Sequence, residues 1–192
     1  MSPQTEETGT GVRQMNKPSS ANVTAAKPNI SGAVSSAALG TTLPTNAKDV
    51  LNAAFETLGY ISQDGLSNEN SPESGEVKAW GGQTVLSSQT DKKDTFKFKL
   101  IESLNINVLK EVYGAENVTG TLATGITVKA NASELPEHVL VVDMILKNGS
   151  MKRIVIPRGK VSGIGEIGYK DGEPVGYELT ITNNLSISFK VI

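Results

Sequence analysis

The sequence holds no cysteine, one histidine and few aromatic residues, which make up 5% of it. Without cysteine there is no disulfide, no zinc–thiolate centre and no cysteine nucleophile. A single histidine, His138, excludes a His–His metal pair within the chain, and no His-Glu-x-x-His motif occurs. A Ser–His–Asp triad would have to use His138, yet no Gly-x-Ser-x-Gly elbow accompanies it. His138 opens the apolar run Val139-Leu140-Val141-Val142 and reads as a surface or strand-edge histidine. No apolar run reaches the length of a membrane span. A surplus of basic residues is also missing: Lys plus Arg is 18 and Asp plus Glu is 20, for a formal charge of −2. Proteins that grip nucleic acid do so with clustered Lys and Arg. Met1 is followed by Ser2, Pro3, Gln4 and Thr5, so no secretory signal is expected. The Asn-x-Ser/Thr sequons at Asn22, Asn29, Asn117, Asn131, Asn148 and Asn184 are therefore read as unglycosylated.

Two apparent motifs lack their context. Gly163-Ile164-Gly165-Glu166-Ile167-Gly168 spells Gly-x-Gly-x-x-Gly, but it lies between strand-like segments with no helix following. A dinucleotide site needs strand, glycine turn and helix in that order. Glycines at a strand bend or bulge explain it better. Asp171-Gly172 is a turn rather than a calcium loop, because acidic ligands at alternate positions are missing. No catalytic residue, metal ligand or cofactor is assigned, and no enzymatic activity is expected.

What is present is one domain's worth of chain. Its 192 residues are 38% hydrophobic and 20% charged, enough to build a core. Residues 1–30 are rich in Ser, Thr, Asn and Pro with scattered apolar residues, and read as a flexible arm. Ordered structure is expected from Ile30, giving a domain over 31–192. Ser31 to Leu39 reads as a weak strand. A helix is expected after Thr45, with Val50, Leu51, Ala54, Phe55 and Leu58 on one stripe and Gly59 at its C-terminal cap. Residues 63–76 read as a long polar loop with four acids, Asp64, Glu69, Glu73 and Glu76, and no basic residue.

The remainder is mainly β. Val77 to Trp80 is a strand, Gly81-Gly82 a hairpin turn, and Thr84 to Ser88 a strand. Thr95 to Ile101 alternates, with Phe96, Phe98 and Leu100 inward and Lys97 and Lys99 outward. Asn105 caps one helix whose stripe is Ile106, Leu109, Val112 and Tyr113, ended by Gly114. Ile126 to Ala130 is a strand. Strands over 139–147 and 151–158 join through Asn148-Gly149. A second hairpin turn is expected at Lys170-Asp171-Gly172-Glu173. A C-terminal hairpin looping over Asn183 to Leu185 would pair Ile181 with Ile187, Leu179 with Phe189, Tyr177 with Val191 and Glu178 with Lys190. The fold class is mainly β with one or two helices: a sandwich or barrel-like domain.

Several segments, taken in order, resemble a known family. They are Leu58-Gly59-Tyr60-Ile61-Ser62-Gln63-Asp64-Gly65, Val77-Lys78-Ala79-Trp80-Gly81-Gly82, Phe96 to Glu102 and Val108 to Gly114. Leu135-Pro136, Lys152 to Pro157 and Tyr169 to Glu173 extend the match. Over roughly residues 33–192 the chain resembles the major tail proteins, or tail tube proteins, of long-tailed non-contractile bacteriophages. That resemblance implies two packed antiparallel β-sheets flanked by an α-helix. It implies self-assembly into six-membered rings stacked as a hollow tube in the virion tail, built in the host cytoplasm, through which DNA passes without specific binding. The implied partners are further copies of the chain, the tail tip complex, the tape measure protein and the tail terminator. The resemblance implies neither a membrane nor a cofactor. Segment 63–76 becomes the inter-ring loop, with Asp64, Glu69, Glu73 and Glu76 as its contacts. Trp80 is either a core aromatic beside a turn or an intersubunit contact.

The residues alone leave a second reading open, an Ig-like surface binding or adhesion module. Helix 105–113, which a plain Ig sandwich does not need, distinguishes the two. An enzyme on a β scaffold is a third, but no convergent acidic pair supports it.

Overall fold

A computed structural model describes residues 18–29 and 32–192; the side chains of Glu73, Thr90 and Asp91 are outside this description. Eleven strands and one α-helix are found among the described residues. In chain order they are β1 (Ala26–Pro28), β2 (Val34–Ala38), β3 (Glu56–Thr57), β4 (Ile61–Lys78) and β5 (Thr84–Leu100). Then follow α1 (Ile106–Tyr113), β6 (Val118–Thr121), β7 (Gly125–Val128), β8 (Glu137–Leu146), β9 (Met151–Ile164), β10 (Tyr177–Asn183) and β11 (Ser188–Val191). Nine strands form one antiparallel sheet in the order β3-β2-β8-β9-β10-β5-β4, with β1 added on β8 and β11 on β9. β6 and β7 form a separate hairpin. The mainly β, antiparallel, helix-flanked architecture expected from sequence is what the chain adopts.

The central strands are long and shared. Along one edge of β8, β2 pairs with His138 to Val142 and β1 with Met144 to Leu146. Along one edge of β9, β10 pairs with the Lys160–Ile164 end and β11 with Lys152 to Val155. β11 thus continues the direction of β10 instead of turning back on it, and the expected C-terminal hairpin does not form. Tyr177, Leu179 and Ile181 instead face Leu100, Phe98 and Phe96 across seven register pairs with β5. That pairing buries all six side chains, whereas β11 leaves Phe189 and Val191 exposed. The break between β10 and β11 falls beside Pro157, which has no N–H to give to a ladder.

Strand β10 also explains the Gly-x-Gly run. Register shifts where Thr180 pairs with Gly163 and Ile181 with Val161, leaving Ser162 as the extra residue. Gly163 and Ile164 end the strand, and no helix follows. The Asn148-Gly149 hairpin forms as expected, with Gly149 at φ 84°. Lys170 to Glu173 forms a turn within the connection between β9 and β10, which pair antiparallel.

Helix α1 begins at its sequence-predicted cap: Asn105 Oδ1 accepts from Asn107 N–H at 3.0 Å. It ends at Gly114, whose N–H bonds Lys110 O. Val108, Leu109 and Val112 are buried against Phe96, Leu100 and Ile156 in the core cluster, and Tyr113 meets Tyr177 edge-on at 6.0 Å. Val108 replaces Ile106 on the innermost face, and Glu111 is buried as well.

The expected helix over residues 45–58 is absent. Val50 is 95% exposed, while Leu58 is in the core. The Asp49 carboxylate accepts from Thr45 N–H and Oγ1–H, both at 2.9 Å, and from Asn46 N–H at 2.7 Å. Asn52 Oδ1 accepts from Ala54 N–H. Short Asp and Asn side chains satisfy the backbone locally and compete with helix. Gly59 is not a helix cap but a left-handed residue at φ 72°, where any side chain would overlap the Glu102 carboxylate that accepts from Tyr60 N–H. Within the sequence stretch read as an arm, residues 1–17 lie outside the described residues, and Ala26–Pro28 is β1, paired on β8. The expected start of order at Ile30 falls on residues 30 and 31, also outside them.

Candidate functional site

The segment 63–76 is strand, not loop. It lies within β4, which pairs with β5 from Ile61 to Lys78 and makes one long hairpin arm. Its composition argues against a strand: Gly65, Asn68, Asn70, Pro72 and Gly75 are all poor strand formers. Two facts overcome this. β5 offers a strongly alternating partner at its base, pairing Leu66 with Phe98 and Asn68 with Phe96. And β4 is an edge strand, where Pro72 loses no ladder bond on its solvent side.

The arm has a supported base and an unsupported end. β10 backs β5 only from Asp94 to Leu100. Beyond the Asn70↔Asp94 pair, residues 71–93 form a two-stranded ribbon in which, among the described residues, each strand is laddered to the other. The junction is polar and buried on one side: Asp94 is 1% exposed and accepts from Asn70 Nδ2 at 2.5 Å. At the tip, Gly81 and Gly82 have φ of 110° and 89°, a conformation that side chains oppose. Ala79 N–H donates to Gln83 O and Gly82 N–H to Ala79 O, closing the turn.

The sequence-predicted site residues are strung along this arm rather than gathered. Asp64 stands at the base and accepts from Ser62 Oγ at 3.1 Å. Glu69 is exposed mid-strand and accepts from Ser71 Oγ at 3.2 Å. Glu73 is in strand at the register position opposite Asp91. Glu76 lies near the tip, exposed, and accepts from Thr84 Oγ1 at 3.2 Å. Trp80 is 107% exposed at the turn, so the core-aromatic reading is wrong. Around it the pattern is apolar: Val77 pairs directly with Leu86, and both, with Val85, are more than half exposed. Sequence reading missed this apolar tip. The clue was available in Val77, Val85 and Leu86 flanking a glycine turn next to a tryptophan.

At the base, Asp64, Lys97, Lys99 and Glu178 line one shallow depression, so the two lysines sit among acids. No set of three or more His, Asp or Glu able to hold a metal occurs among the described residues. No helix among them is long and apolar enough to cross a membrane.

A family profile described as phage tail tube protein matches residues 17–184 of this sequence. The chain belongs to that family. It is a structural component of a bacteriophage tail tube, located in the virion. Among solved structures, the chain is similar to one from the virion of a native gene transfer agent particle. Identity is 12% over 73% of this chain and 92% of that one, with a TM-score of 0.41. It is similar also to a chain from the tail of an empty gene transfer agent particle refined with C6 symmetry. There identity is 10% over 85% of this chain and 99% of that one, with a TM-score of 0.43. A search of curated proteins found no match.

A second cluster lies away from the arm. Glu111 of α1 is buried and accepts from Ser36 Oγ of β2 at 2.9 Å, and His138 Nδ1 of β8 lies 3.0 Å from the same carboxylate oxygen. The hydrogen bond and charge of Glu111 raise the His138 pKa above its ordinary value, against the opposing effect of burial. His138 is therefore not simply a surface histidine: with Ser36 it engages Glu111, which ties the helix to two strands.

Proposed function

We propose that this tail tube protein assembles into six-membered rings that stack as a hollow tube, the conduit for DNA ejected into the host. The six-fold count is carried by the family resemblance. The β4–β5 arm is the element that reaches from one ring to the next, and Asp64, Glu69, Glu73, Glu76 and Trp80 lie on the contacting element. The observation that carries the arm's role is the ribbon 71–93, which is not backed by a third strand among the described residues. A two-stranded ribbon is at best marginally stable alone in water, and gains order by packing on another molecule. Within the stretch 1–30, Ala26–Pro28 is anchored on the body as β1, along the edge of β8. Ring closure joins exposed sheet edges head to tail, which removes them from solvent.

The partners in this reading are other copies, the tail tip complex, the tape measure protein and the tail terminator. DNA slides without specific binding, in keeping with a net charge of −2 and with lysines at the arm base set among acids. The role is mechanical, with no reaction catalysed.

The test is negative-stain electron microscopy over a concentration series, with light scattering on the same samples. Rings or hollow tubes are expected. A companion variant replaces residues 71–93 with Asn-Gly, joining Asn70 to Asp94 by a two-residue turn. It should fold and form rings but not stack. Normal tubes from this variant would refute the arm's role.

A further inference from the structure

The unabsorbed feature is an apolar groove on the body. Ile101, Leu104 and Leu122 line a depression of about 440 Å³ with Glu102, Ser103 and Asn105. Leu104 and Leu122 are 65% and 66% exposed. Ile101 and Leu104 follow β5, and Leu122 is the first residue of the turn between β6 and β7. The groove is therefore at one end of β5, and the Trp80 tip is at the other.

We infer that this groove receives the arm tip of a second copy, with Trp80 seated between Leu104 and Leu122. This rests on the stacked-tube reading above and names the receiving surface within it. Three observations converge. First, β5 has 17 residues, so tip and groove of one chain are separated by up to roughly 55 Å at the usual strand rise. A chain cannot fill its own groove, while a copy displaced along the strand direction can. That relation is head to tail and repeats without closing, as a stack of rings requires. Second, both surfaces are apolar and exposed in the single chain: Trp80, Val77, Val85 and Leu86 on the tip, Leu104 and Leu122 on the body. Tryptophan buries a large area on contact, and the depression is large enough for an indole. Third, Glu102, the one charged residue lining the groove, also accepts from Tyr60 N–H and Asn105 Nδ2 and is opposite in sign to Lys78, two residues before Trp80 on a tip that carries Glu76 as well.

The sequence supplies two clean probes. Trp80 is the sole tryptophan, so intrinsic tryptophan fluorescence reports the tip alone, and there is no native cysteine to confuse a disulfide experiment. Ala79→Cys with Ser103→Cys places one thiol beside Trp80 and one in the groove while leaving Trp80, Leu104 and Leu122 intact. After mild oxidation of assembled protein, a ladder of disulfide-linked multimers is expected on a non-reducing gel, with none from either single variant. Trp80 emission should shift to the blue when tubes form. Leu122→Glu should leave rings but stop stacking and keep the emission at its solvent-exposed position. Parent tubes without a ladder from the double variant would overturn the groove assignment and leave stacking standing. So would tubes from Leu122→Glu showing the same blue shift. Failure of the unmodified chain to form tubes at any concentration would overturn the stacking reading, and this inference with it.

Discussion

Arg153 holds both carboxylate oxygens of Asp143 from the adjacent strand: Nε donates at 2.6 Å and Nη2 at 2.9 Å. The two residues are directly opposed in the β8–β9 register, and both are buried. The remaining nitrogen, Nη1, donates to the carbonyls of Asn46 and Asp49 at 3.0 and 2.9 Å. One guanidinium thus pins the 45–50 turn onto the middle of the sheet. The Asp49 carboxylate is held below the usual carboxylate range chiefly by the Thr45 hydroxyl, then by Asn46 N–H.

Arg153→Met should be strongly destabilising. It leaves the buried Asp143 charge unpaired and frees two carbonyls, a loss of about 3–5 kcal/mol. The double variant with Asp143→Leu removes the stranded charge and should recover part of that loss. Urea unfolding of the three proteins measures both effects. Equal stability of Arg153→Met and the parent would show that the pair contributes nothing.

The His138–Glu111 pair makes stability depend on pH. Its folded pKa is raised, so the pair's contribution is fully present below the ordinary histidine value near 6.5 and fades as pH rises through the folded value. The parent should therefore lose thermal stability relative to His138→Gln as pH increases from 5.5 to 9. A constant difference between the two across that range would mean the charge has no role. Removing the partner by Glu111→Ala should still cost about 1–3 kcal/mol at high pH, where the charge contribution has faded, because Ser36 Oγ is left without its acceptor, and more at low pH.

Trp80→Ala should separate folding from assembly. The side chain is fully exposed and touches no core, so the single chain's stability should change by less than about 0.5 kcal/mol. Polymerisation should be lost or moved to much higher concentration. Unchanged tubes at the parent's concentration would remove Trp80 from the interface.

Gly59→Ala should destabilise through the backbone. The site is left-handed, and an added methyl meets the Glu102 carboxylate that holds Tyr60 N–H. A cost above about 1 kcal/mol is expected in chemical denaturation. A neutral result would show that the 59–60 corner relaxes freely.

Local signals in the sequence determined much of this protein. The alternation of Phe96, Phe98 and Leu100, the Asn148-Gly149 turn, the Gly81-Gly82 turn, and the Asn105 and Gly114 caps each act over a few residues, and each element formed where it was read. So did the family, through the order of several short segments. Tertiary structure decided the rest. The apolar spacing after Thr45 reads as a helix, but Arg153, more than 100 residues away, claims the carbonyls of Asn46 and Asp49. The C-terminal strands match faces as a hairpin, but β5 offers Tyr177, Leu179 and Ile181 a longer buried partner. Segment 63–76 lacks strand-forming residues and is a strand only because β5 lies beside it. Strand pairing takes its free energy from whichever partner buries the matching face, and that partner is set by long-range topology rather than by neighbours in sequence. The same reason hid the apolar arm tip and its groove, which become a pair of surfaces only once β5 holds them at opposite ends.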